Sequence, residues 1–130
     1  MPSPRVAIAT CVTLPEPDPD QDLMLAALRD AGLDTDLAAW DDEAVDWSSY
    51  DLAVIRSTWD YHEHLDAFKR WLDRASDATM LINPAPIVRW NLHKGYLREL
   101  EQAGAPIVPT AFVDANKPAD LSAVLHDRGW

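Results

Sequence analysis

Apolar residues in this chain fall into short unbroken runs, separated by polar stretches of helical periodicity. Val6-Ala7-Ile8-Ala9-Thr10 is the first run. A continuous apolar run, rather than an alternating one, predicts a strand covered on both faces, as in a parallel sheet. Pro15-Glu16-Pro17-Asp18-Pro19-Asp20 admits neither helix nor central strand and predicts a loop. Asp20 is placed to cap a helix from Gln21 to about Ala31, with Leu23, Ala26, Ala27 and Leu28 as its apolar stripe and Gly32 as its stop. Thr35 to Trp40 alternates and predicts a second strand; Asp41 to Ser49 is an acidic connection.

Tyr50 to Ile55 predicts a third strand. Leu65 to Ala75 predicts a helix, because Leu65, Phe68, Trp71 and Leu72 recur on one face. Thr79 to Ile82 is a short fourth strand closed by Asn83-Pro84. Pro86 to about Ala103 carries a helical pattern that forms one piece or two, and Gly104 ends it. Ile107 to Val113 is extended and contains Pro109, which confines it to an edge strand at best. Lys117 to Arg128 predicts a last helix. Strands alternating with helices in the order β-α-β-β-α-β-α-β-α predict an α/β fold: a Rossmann-like, open, mostly parallel sheet with helices on both faces. The last helix leads toward a further strand, and Ile107–Val113 lacks a pairing partner. The expectation is therefore a domain over residues 1–84 and, over 85–130, the opening of a second subdomain of a longer protein. The alternative is that the final helix simply packs on the sheet.

Composition narrows the function classes. The 130 residues carry 22 acidic against 11 basic side chains, a net charge of −11. That argues against nucleic acid as a partner, since a phosphate track needs Lys and Arg, and against docking on anionic membrane. No stretch approaches the roughly 20 apolar residues of a membrane span, so a cytoplasmic protein is expected. The single cysteine, Cys11, excludes a disulfide within the chain and a Cys-rich zinc site. It is expected as a small buried hydrophobe. Six Trp is high for this length and points to aromatic packing or an interface. With the unpaired Ile107–Val113 segment, it leaves a homodimer open.

Candidate chemistry gathers where the third strand ends. Arg56-Ser57-Thr58-Trp59-Asp60-Tyr61 follows the apolar run Leu52-Ala53-Val54-Ile55, and in open α/β sheets ligands bind outside the carboxyl ends of the strands. Arg56 either pairs with a substrate carboxylate or forms an internal ion pair. Ser57 and Thr58 bind polar groups or cap a turn. Trp59 walls a pocket or joins the core, and Asp60 orients an amine or holds a turn. Asn83, in extended geometry before Pro84, lines the same cleft or makes a turn; Asn91 contacts substrate or caps a helix. His62 and His64 beside Asp60 and Glu63 lack further residues at metal-ligand spacing and read as a solvated loop.

Taken in order, Val6–Cys11, Trp40-Asp41-Asp42, Asp51–Tyr61, Asn83-Pro84, Val88–Leu97 and Gly104–Thr110 resemble the ATP-grasp superfamily. They are most similar to a branch of single-chain bacterial ligases that includes D-cycloserine synthetase and glutathione-synthetase-like proteins. The resemblance implies a pre-ATP-grasp domain followed by the start of the ATP-grasp subdomain. It implies a ligase that activates a small carboxylate with ATP and Mg²⁺ to an acylphosphate, which an amine then captures. It places Lys94 at the nucleotide phosphates; the usual pair there is Asp-Lys, where this chain has His93-Lys94. The Mg²⁺ carboxylates, most phosphate contacts and the remaining ATP-grasp domain lie further along such chains. No catalytic residue and no tightly bound cofactor is therefore expected within these 130 residues, nor activity from them alone.

Element order fits a second class equally: a non-catalytic small-molecule-binding or interaction domain of flavodoxin-like or Rossmann-like fold. A dinucleotide-dependent enzyme is disfavoured, because the turn after the first strand, Thr10-Cys11-Val12-Thr13, lacks the glycines a pyrophosphate needs.

Overall fold

A computed structural model describes residues 2–114 and 116–130. It divides into two compact units, one ending at Leu92 and the other His93–Trp130. In the first, β1 (Arg5–Thr10), β2 (Asp34–Ala39), β3 (Leu52–Ser57) and β4 (Met80–Ile82) form a parallel sheet in the order β2-β1-β3-β4. Helix α1 (Gln21–Asp30) links β1 to β2, and α2 (Leu65–Ala78) links β3 to β4. The fold class read from the sequence is the one observed.

The sheet buries two unequal faces. Val6 and Ile8 point toward Leu25 of α1. Ala7, Ala9 and Ala53 point the other way, against Trp40, Trp47, Phe68, Trp71 and Leu72. Small residues on the central strands leave room for this aromatic layer. Phe68 lies 5.2 Å from Trp40 and 5.0 Å from Trp71, and Trp47 lies 5.3 Å from Trp71. Edge-on and tilted ring pairs of this kind add roughly 0.5–1.5 kcal/mol each beyond their burial. Trp47 reaches the layer from a single 3₁₀ turn, Trp47–Ser49, where Asp46 accepts the Ser48 amide at 3.1 Å. That turn interrupts what the sequence reads as a plain acidic connection.

Several boundaries move, each for a local reason. The third strand starts at Leu52 and not at Tyr50. The carboxylate of Asp51 takes the Arg5 amide at 2.8 Å, and Arg5 lies over the Tyr50 ring at 4.8 Å. It also ends later, at Ser57. Ala9 pairs with Ile55 and Thr10 with Ser57, so Arg56 is an extra residue with no partner on β1. This is a bulge, a device that re-aims side chains at the rim of a sheet. Asp20 stands at the α1 N-terminus without a side-chain cap bond; its carboxylate lies 3.7 Å from Arg56 instead. Gly32, at φ +86°, makes the left-handed stop after α1 that the sequence assigns to it.

The helical stretch from Pro86 resolves into α3 (Ala85–Asn91), in the first unit, and α4 (Tyr96–Gln102), in the second. At the break His93 Nδ1 takes the Gly95 amide at 3.1 Å. In the second unit, residues 107–113 form no strand among the described residues, since Pro106 and Pro109 offer no N–H to a ladder. Phe112 instead stacks beneath Arg98 at 4.1 Å. The last helix, α5 (Leu121–Arg128), starts four residues later than the pattern suggests. Pro118 disfavours helix at Lys117, and Asp120 caps the helix by accepting the Ser122 and Ala123 amides at 3.0 and 3.2 Å. Among the described residues no helix is long and apolar enough to cross a membrane.

Candidate functional site

From β1 the chain departs to β2 on one side, and from β3 to β4 on the other. The carboxyl ends of β1 and β3 therefore flank the switch point at which α/β sheets form a crevice. The bulge stands at this point. Thr10 is buried, and its hydroxyl reaches the Ser57 carbonyl at 3.5 Å; the Cys11 thiol reaches the same oxygen at 3.5 Å. Burial, and then the charge of Asp60, pushes the Cys11 thiol up from its ordinary value.

The loop Pro15–Asp20 folds over this crevice through Asp18. Ser57 Oγ donates to Asp18 Oδ2 at 2.7 Å. Arg56 approaches the same oxygen through Nε at 3.3 Å, and its terminal nitrogen donates to Oδ1 at 3.3 Å. The Asp20 amide donates to Oδ1 at 3.1 Å. The Asp18 side chain is only 1% exposed. The Ser57 hydroxyl first, then the Asp20 amide and the Arg56 guanidinium, holds its carboxyl below the usual carboxylate range. Arg56 is thus occupied by an internal ion pair, with the chain's own carboxylate in a cradle of guanidinium, hydroxyl and amide.

The following turn is held from the core. Thr58 is buried, and its carbonyl takes the Tyr61 amide at 3.1 Å. Trp59 is half-buried, and its carbonyl faces His62 Nδ1 at 3.0 Å. Asp60 Oδ1 accepts the Trp40 indole N–H at 2.9 Å, tying the turn to the aromatic layer. Arg56, Ser57, Thr58, Trp59 and Asp60 are therefore brought together around one strand end. Asn83 is exposed just past β4, beyond a cis Ile82–Asn83 peptide, and Asn91 is exposed as the last residue of α3. Lys94 belongs to the second unit, exposed, with Nζ 5.7 Å from the Tyr96 ring centre. Among the described residues no three His, Cys, Asp or Glu side chains gather as a metal site. An all-protein cage for a divalent cation is therefore not formed among them.

Asp18 is the site residue the sequence did not single out. Its signal was a carboxylate within the short connection leaving β1, hidden among 22 acidic residues.

Comparison with known proteins gives a consistent result. The family model for "D-cycloserine synthetase DcsG, N-terminal domain" matches residues 6–83, which span β1 to the end of β4. The cycloserine biosynthesis protein DcsG of Streptomyces lavendulae is 38% identical over 117 residues. That alignment covers 90% of this chain and 38% of the relative, so the chain spans well under half of that protein's length. The crystal structure of D-cycloserine synthetase DcsG superposes with a TM-score of 0.78 at 35% identity, over 95% of this chain and 41% of that one. The chain belongs to the family of D-cycloserine synthetase DcsG N-terminal domains.

Proposed function

We propose that this chain is the acid-binding N-terminal domain of an ATP-dependent ligase that forms D-cycloserine or a close analogue. Its relatives are named for that product. Opening the product's ring at its amide bond gives a small amino acid, β-aminooxy-D-alanine, with a carboxylate at one end and an aminooxy nitrogen at the other. Ring closure is then a carboxylate–amine ligation within one molecule. The γ-phosphoryl group of ATP passes to a carboxylate oxygen and ADP leaves. The nitrogen attacks the acyl carbon, phosphate leaves, and the nitrogen loses a proton. Chemistry of this kind depends mainly on positioning and charge neutralisation.

The observation that carries the reading is the Asp18 cradle. Arg56 and Ser57, with the Asp20 amide, already hold one carboxylate at the switch point. A substrate carboxylate would take the place of Asp18, while Thr58 and Trp59 border it. Asp60, fixed by Trp40, would face the amine; Asn83 and Asn91 remain exposed for further polar contacts. Lys94 would reach the nucleotide phosphates. The chain by itself is expected to be inactive.

A hybrid ligase tests this, with the present chain replacing the matching N-terminal segment of the Streptomyces lavendulae relative. The hybrid should close the ring in the presence of ATP. Arg56→Ala should raise the KM for the acid by about tenfold or more, the equivalent of one charge-assisted hydrogen bond, with the KM for ATP unchanged. Lys94→Ala should do the reverse. Unchanged kinetics in the Arg56 variant would remove Arg56 from the site, and a folded hybrid that binds ATP but forms no product would overturn the reading.

A further inference from the structure

A second feature lies outside the crevice. A groove of about 320 Å³ runs between α2 and the connection after β2, with Trp40, Asp41 and Glu43 on one side and His64, Arg70 and Arg74 on the other. Trp40 is its apolar wall, only 4% exposed. Arg70 and Arg74 are one helical turn apart, so two like charges stand side by side, an arrangement that slightly destabilises a helix. The acidic residues at helical spacing from Arg70, Asp66 and Asp73, are engaged elsewhere. Asp66 pairs with Lys69 at 3.7 Å, and Asp73 pairs with Arg89. Among the described residues the side chains of Arg70 and Arg74 have neither a hydrogen bond nor an ion pair, in a chain with twice as many acids as bases. Arg5, Arg29, Arg56 and Arg89 all have polar partners. Across the groove Glu43 is likewise unpartnered, whereas Asp41 takes the Val12 amide at 2.8 Å.

We propose that this groove binds a small zwitterion, with its carboxylate on Arg70 and Arg74 and its ammonium group on Glu43. Two adjacent guanidinium groups match a planar carboxylate. Glu43 and Asp41 across the groove repel a simple anion and supply the counter-charge for a positive end. The volume falls in the range of small-molecule sites. A neighbouring hollow of about 290 Å³ shares Glu43 and Arg74, leaving space for a side chain beyond the ammonium end. The site is separate from the Asp18 cradle and stands or falls independently of it.

Nuclear magnetic resonance titration of the 130-residue chain tests the proposal. The probes are D- and L-alanine, with propionate and ethylamine as the single-charge halves of alanine. The readout is the Nε–H signals of Arg70 and Arg74, which distinguish this groove from binding at Arg56. At least one alanine enantiomer should shift them saturably, about tenfold more tightly than propionate or ethylamine, as expected for one added charge-assisted contact. Arg70→Gln and Arg74→Gln, both at exposed positions, should each weaken binding by a similar factor. Glu43→Gln should remove the advantage of alanine over propionate. The absence of a saturable shift, propionate binding as tightly as alanine, or unchanged alanine binding in the Arg70→Gln/Arg74→Gln double variant would overturn it.

Discussion

Trp40→Phe separates the two tasks of a residue that belongs to both core and site. The indole packs edge-on against Phe68 at 5.2 Å and Trp71 at 6.3 Å, and its N–H holds Asp60 at 2.9 Å. Phenylalanine keeps an aromatic ring but removes the donor and the second ring. A hydrogen bond to a charged acceptor contributes about 1.5–3 kcal/mol when well shielded. Asp60 is half-exposed, so water replaces part of the bond and about 1 kcal/mol is lost. The missing ring leaves a void beside Phe68 and Trp71, which costs about 1–2 kcal/mol more. The expected total is about 2–3 kcal/mol, or a fall of roughly 1–2 M in urea midpoint at a slope of about 1.5 kcal/mol/M. Far-ultraviolet circular dichroism is the assay, because the substitution itself alters tryptophan fluorescence. A double-mutant cycle with Asp60→Ala should return a coupling of about 1 kcal/mol. An unchanged midpoint, or additivity within about 0.3 kcal/mol, would show that Trp40 does not anchor the turn.

Four further outcomes follow from the same contacts. Trp71 is fully buried with an unpartnered indole N–H among the described residues. Trp71→Phe relieves that desolvation while losing packing, so its net cost should stay within about 1 kcal/mol; a loss matching Trp40→Phe would refute this. The folded-state value of Asp18 lies below the ordinary carboxylate value of about 4. Its stabilisation is therefore complete above that pH and lost as pH falls through the lowered value, and Asp18→Asn should flatten the acid limb of a stability–pH profile. Cys11, buried and with its thiol pushed up, should react with a disulfide reagent only as fast as the chain opens, so rapid labelling under native conditions would contradict its placement. Gly32 sits at φ +86° with open space where a methyl group would stand, so Gly32→Ala should cost about 1–2 kcal/mol through backbone strain alone, read as a lowered urea midpoint.

The strands of the first unit were legible because buried parallel strands are continuous apolar runs, and α2 because Leu65, Phe68, Trp71 and Leu72 keep helical spacing. The Arg56–Asp60 cluster was legible from its place behind the Leu52–Ile55 run. The bulge was not, because Arg56 and Ser57 look like loop residues and only their pairing with β1 shows otherwise. The partner of Arg56 was also hidden: Asp18 is 38 residues away, and an acidic chain offers many equivalent candidates. The same ambiguity hid the Arg70–Arg74 groove, whose Glu43 lies on another element. Residues 107–113 carry strand-like side chains, but a strand also requires a neighbour, which local pattern does not reveal.

Whether the Arg56–Ser57 cradle holds the substrate carboxylate is tested by titration of β-aminooxy-D-alanine into this chain, followed at the Arg56 Nε–H and the Ser57 amide. Saturable shifts are expected at both, with tighter binding in Asp18→Asn, where the cradle is vacated of charge, and loss of the shifts in Arg56→Ala. Signals at Thr10, Cys11 and Arg56 to Asp60 that remain unmoved in the native chain and in Asp18→Asn would contradict that role.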